Sequence, residues 1–296
     1  MKWLQAADAQ GRVRLGYLDG TQAQILRGPH QGIETTLDLL VAIDERGLML
    51  EQWLASARSN NAFDSVAWRT LDAGTNSTWR LRYPVTPPEV WGCGVTYRRS
   101  MDFREEGSGI YDRVYVAERP ELFFKATASR CVGHGEAIGK RSDSKFTAAE
   151  PEVAIVIAAS GRVLGFTVCN DVSAWDIERD NPLYLPQSKV YLGCCAFGPF
   201  LVTPDEIANP NALMLTCRVT REAQETFSGS ASTADLKRPF AELIACLRHS
   251  NPVPTGTVLA TGTGIIQPMT AGLEPGDVVS ISCPELGELR NPVAIV

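Results

Sequence analysis

Residues 149–171 read AEPEVAIVIAASGRVLGFTVCND, two apolar runs on either side of Ser160-Gly161. Val153 to Ala159 and Leu164 to Cys169 have the length and β-branched content of strands, and Ser-Gly suits the two-residue turn of a type I′ or II′ hairpin. In that hairpin Glu150 faces Asp171 and Glu152 faces Cys169, while the two-residue period of a strand puts Glu150 and Glu152 on one side. Three carboxylates then share a face. Like charges opposed in a sheet repel by up to about 1 kcal/mol, and by more when buried, so a positive group belongs among them. A hard divalent cation fits: Mg²⁺, with Mn²⁺ as a substitute, takes oxygen ligands in an octahedron, and three carboxylates leave about three positions for water or a chelating substrate. The same spacing also describes the solvated face of an amphipathic strand, with Asp171 as a turn residue.

Outward from this hairpin the chain reads as α+β and mainly β. At 296 residues it exceeds what one core usually organises. The polar stretch Ala73 to Ser77 and then Pro84, Pro87 and Pro88 mark a boundary, giving a small α/β N-terminal domain, 1–85, and a main domain, 86–296. The small domain has short strands broken at Ala9-Gln10-Gly11 and Asp19-Gly20, then helical periodicity from Thr36 to Ala55. In the main domain Ala212 to Val219 and Val278 to Cys283 read as further strands, and Ser232 to Arg248 as a helix. With 44% apolar and 21% charged residues the composition is globular, and a formal net charge of -6 provides no basic field for nucleic acid. No apolar run approaches the roughly 20 residues that span a bilayer. The start MKWLQAADAQGR meets charge before a signal-peptide core could form, so a cytoplasmic protein is expected. Eight cysteines without C-x-x-C spacing, Cys194 and Cys195 adjacent among them, read as reduced packing residues.

The motifs EPEVAIVI and GFTVCNDVSAWD resemble the E-x-E and N-D-x-S-A-R-D motifs of the fumarylacetoacetate hydrolase superfamily. QSKVYLGCCAFGP places Lys189 where that family has its active-site lysine, ATGTGII places Thr263 at the threonine of its G-T-P-x-G loop, and LEPGDVVSISCPELGELRNPV is similar to its final strands. The resemblance runs over about residues 88 to 293. It implies a mixed β-sandwich roll, a metal held by Glu150, Glu152 and Asp171, and a homo-oligomer, dimer or tetramer. Two departures stand out. Ser100, in Thr96-Tyr97-Arg98-Arg99-Ser100, occupies the position of the histidine in the N-Y-x-x-H of the hydrolases, and Trp175 replaces the usual arginine.

Within the family, RPELFFKATASRCVGHGEAIGKRSDS and ERDNPLYLPQSKVYLGCCAFGP resemble its sugar-acid dehydratases. That implies a small 2-keto acid substrate and Mg²⁺-dependent conversion of a 2-keto-3-deoxy-pentonate to 2,5-dioxopentanoate. A hydroxyl at Ser100 is no base near neutral pH, which weighs against the alternative of C–C hydrolysis and leaves Ser100 a substrate contact. A silent metal-binding scaffold is the other alternative. Lys189 is expected near the reacting centre with a lowered pKa, Glu121 and His134 at the proton transfers, and Thr263 and Lys125 on the substrate. His134, in V-G-H-G-E, reads equally as a structural loop residue, and Glu136 and Lys125 share that alternative.

Overall fold

The computed structural model describes residues 1–98 and 110–296. The deciding hairpin forms from Pro151–Ile157 and Val163–Asp171, with Glu152 opposite Cys169 and Val156 opposite Gly165. That is the expected register, reached through a different turn. Ala158 N donates to Arg162 O and Gly161 N to Ala158 O, both at 2.9 Å, so the loop closes on Ala158 and Arg162 rather than around a two-residue Ser160-Gly161 turn. A register shift between Val156 and Ile157 absorbs the difference. The physical reason is that both strands are buried on both faces. Val153, Ile155, Phe166 and Val168 belong to one apolar cluster and Ala154, Val156 and Cys169 to another. A one-residue slip would exchange these sets, so packing sets the register and the turn accommodates it.

The hairpin lies inside a twelve-stranded sheet. On one side Val163–Asp171 pairs with Cys195–Val202, and on the other Pro151–Ile157 pairs with Thr257–Ala260, followed by Val90–Gly94 and Glu121–Ala126. A five-stranded sheet contains Met214–Arg221, Val278–Cys283 and Gly287–Ile295, and Leu215, Val219, Ile281 and Leu289 meet the first face of the hairpin in one cluster. The chain is therefore mainly β, as expected. Lys2–Ala7, from the first 85 residues, pairs antiparallel with Cys195–Val202, so the N-terminal strands extend the large sheet edge to edge.

Two helices differ from the expected spans. The segment Thr36 to Ala55 divides into Thr36–Glu45 and Leu50–Ser59. The first starts on a capping box between Thr35 and Asp38, and Gly47, at φ 68°, turns the chain out of it. The segment Ser232 to Arg248 has a 3₁₀ turn at Thr233–Asp235 and becomes an α-helix only at Phe240, because Pro239 can begin a helix but not continue one from before.

Gly161 sits at φ 88°, where an L side chain is strained. Replacing it with alanine should lower the unfolding free energy by about 1–2 kcal/mol in a urea titration. Mg²⁺ affinity should stay unchanged, since packing holds the register; a large loss of Mg²⁺ binding would show that the turn sets it.

Candidate metal centre and cavity

The hairpin brings Glu150 and Glu152 at the start of one strand against Asp171 at the end of the other. One carboxylate oxygen from each lies within 4.8 Å of the others, and all three residues are buried. The solvated-strand alternative is therefore excluded by burial. Each acid is held by a donor from a different part of the fold. Gly262 N donates to Glu152 Oε2 at 2.7 Å, Trp175 Nε1 to Glu150 Oε1 at 2.6 Å, and Lys189 Nζ to Glu150 Oε1 at 2.8 Å and Asp171 Oδ2 at 3.0 Å. Lys125 Nζ forms an ion pair with Asp171 and donates to Val172 O at 2.9 Å.

Local structure explains these placements. Ser173–Ala174 pairs with Thr147–Ala148, fixing the chain directly after Asp171, and the helix Trp175–Asp180 starts there. Ser173 Oγ accepts from Lys189 Nζ at 2.6 Å and donates to Asp171 O at 2.8 Å. Lys189 ends the short helix Leu185–Lys189, with its ammonium 5.3 Å from the centre of the Phe123 ring. Gly262, at φ 93°, turns its N–H to Glu152, and a Cβ there would come within 1.9 Å of Thr96 Oγ1, so only glycine fits.

Burial, then the charges of Asp171 and Glu150, push the Glu152 carboxyl well above the usual range. For both lysines burial acts to lower the pKa, but the Asp171 charge, joined at Lys189 by Glu150, outweighs it. Their pKa values are raised, not lowered as expected for Lys189, because each ammonium sits directly on carboxylates. An all-carboxylate, buried donor set with excess negative charge is what Mg²⁺ or Mn²⁺ requires, so the residues fit a hard divalent cation.

Beside the triad opens a cavity lined by Glu150, Lys189, Glu121, Phe123, Thr263 and Glu178, among others. Glu121 and Thr263 thus share a space with the metal candidates. Lys125 does not line it: its side chain is wholly buried, and it is an internal counter-ion of Asp171 rather than the expected substrate contact. His134 is also elsewhere. Its ring nitrogens lie 3.1 Å from Glu288 O and Asp72 O, so it ties together distant segments and is not placed for proton transfer. Glu136 is bound to Arg82 and accepts from Gly133 N at 2.6 Å. Ser100 lies outside the described residues. The eight cysteines are free, seven of them buried, as expected.

Sequence reading missed Glu178 and the contact of Trp175. The available signal was their spacing of three on the helix W-D-I-E-R-D, which puts both on one face. Trp175→Phe keeps an aromatic ring against Phe146, 5.7 Å away between centres, and deletes the N–H donor. It should weaken Mg²⁺ binding about 10–100-fold in calorimetry, the scale for losing a partner of a metal ligand; an affinity within twofold of wild type would show that the bond is not used.

Comparison with known proteins shows what the chain is similar to. The profile of the fumarylacetoacetate (FAA) hydrolase C-terminal family matches residues 89–294. The chain is 50% identical over 221 residues to a 2-dehydro-3-deoxy-D-arabinonate dehydratase of Saccharolobus solfataricus, covering 72% of this chain and 74% of that one. It is 42% identical over 216 residues to a probable 2-keto-3-deoxyxylonate dehydratase of Haloferax volcanii, with coverage of 72% and 74%. A solved 2-keto-3-deoxy-D-arabinonate dehydratase complexed with magnesium and 2,5-dioxopentanoate superposes with a TM-score of 0.85 at 40% identity, over 100% of this chain and 99% of that one. With the motif residues gathered at one buried centre and the profile spanning most of its length, the chain belongs to the fumarylacetoacetate hydrolase family.

Proposed function

We propose that the chain is a Mg²⁺-dependent hydro-lyase converting a 2-keto-3-deoxy-pentonate to 2,5-dioxopentanoate. The observation that carries this is the buried Glu150, Glu152 and Asp171 triad opening on a cavity with Lys189. It is supported by the identity to dehydratases and by the neighbour whose structure holds magnesium and 2,5-dioxopentanoate. Bound at the triad, the cation supplies Lewis acidity to the carboxylate and keto oxygens of a 2-keto acid. The protein supplies the rest. Lys189, kept protonated by its acidic neighbours, presents a positive donor to the cavity and stabilises negative charge on the substrate oxygens. Glu121 takes the C3 proton, since it is a carboxylate of the cavity and, unlike Glu150 and Glu152, lies outside the triad. Thr263, on the same loop as Gly262, orients the substrate. No helix among the described residues is long and apolar enough to cross a membrane. The reading includes a cytoplasmic site of action, as expected from the sequence, and a homo-oligomer, after the pattern of the family.

The test is a proton NMR assay of 2-keto-3-deoxy-pentonate with the Mg²⁺-loaded protein. Release of 2,5-dioxopentanoate, abolished by chelator and reduced roughly 10²-fold or more in Lys189→Ala, is expected. Cleavage to pyruvate and a two-carbon aldehyde, or unimpaired turnover in chelator, would overturn the reading.

A further inference from the structure

Elimination of water from C3 and C4 needs two proton transfers, one from carbon and one to the departing hydroxyl. Glu121 accounts for the first, and His134, bonded to Asp72 and Glu288 away from the cavity, cannot account for the second. A hydroxide ion is a poor leaving group, so an acid is required at C4.

Glu178 has the position for it. It is 5% exposed, on a short helix where its neighbours Arg179 and Asp180 face solvent, and it lines the same cavity as Glu121, Lys189 and Thr263. A carboxyl shielded from bulk water on the cavity it shares with Glu121 and Lys189 is placed for chemistry there.

We propose that Glu178 is the general acid that protonates the C4 hydroxyl, an inference that rests on the dehydratase reading above. The C3–H pair of electrons forms the C3=C4 bond while Glu121 takes the proton. The C4–O bond breaks with its electrons going to oxygen, and the Glu178 proton completes a water molecule. The product of this step, 5-hydroxy-2-oxopent-3-enoate, tautomerises to 2,5-dioxopentanoate.

The experiment compares wild type and Glu178→Gln, both Mg²⁺-loaded, on a 2-keto-3-deoxy-pentonate and on its 4-fluoro analogue, whose fluoride leaves without protonation. Water loss should fall roughly 10²-fold or more in the variant. Fluoride release, deuterium exchange at C3 and Mg²⁺ affinity by calorimetry should each stay within about fivefold of wild type, whereas a general structural defect would lower them all. Glu178→Asp, which keeps a carboxyl at shorter reach, should show the same contrast if glutamine is not tolerated. Equal losses on the two substrates, or dehydration by Glu178→Gln near the wild-type rate, would overturn the role. Wild-type protein that dehydrates no pentonate would overturn the dehydratase reading and the role together.

Discussion

Three carboxylates crowded within 4.8 Å and shut off from water cannot all be ionised unless positive charge is brought among them. Much of the surrounding structure meets that constraint. Lys125 comes from the strand Glu121–Ala126, Lys189 from the helix Leu185–Lys189, Trp175 from the helix after Asp171, and Gly262 from the loop after Thr257–Ala260. The helices of Trp175 and Lys189 follow the hairpin closely in the chain, whereas Lys125 and Gly262 come from distant segments and reach the triad because the sheet brings Glu121–Ala126 and Thr257–Ala260 to the same side of the hairpin. The two ammonium groups offset part of the negative charge, and a divalent cation at the triad offsets the rest.

The donors have different consequences. A backbone N–H and an indole hold Glu152 and Glu150 in orientation without adding charge. Lys189 adds charge and also reaches the cavity, so the group that stabilises the acids is the one that can answer a substrate anion. Lys125 has no such access and serves Asp171 alone among the acids of the triad. Glu121 and Glu178 line the same cavity but do not belong to the triad, so the acid–base roles proposed for them fall on carboxyls separate from the metal candidates.

The triad was legible in sequence because strand alternation and two buried apolar runs determine register. The turn was not, since a loop closing on Ala158 and Arg162 and a compensating shift near Val156 return the same pairing. Gly47 and Pro239 are visible breakers, yet apolar periodicity ran past both. Lys189 and Thr263 were found through motifs. His134 was misplaced because its partners, Asp72 and Glu288, lie 62 and 154 residues away, beyond the reach of local pattern. Glu178 was passed over because its spacing of three from Trp175 is a signal only when Trp175–Asp180 is read as a helix, and six residues are too few to show helical periodicity.

The most direct test of the central claim, that the triad is a hard-metal centre, is electron paramagnetic resonance of Mn²⁺ added to metal-stripped protein. The free-ion signal should vanish up to one equivalent per chain, return when excess Mg²⁺ is added, and persist from the start with Glu152→Gln. Undiminished binding by Glu152→Gln, or no binding by wild type, would contradict it.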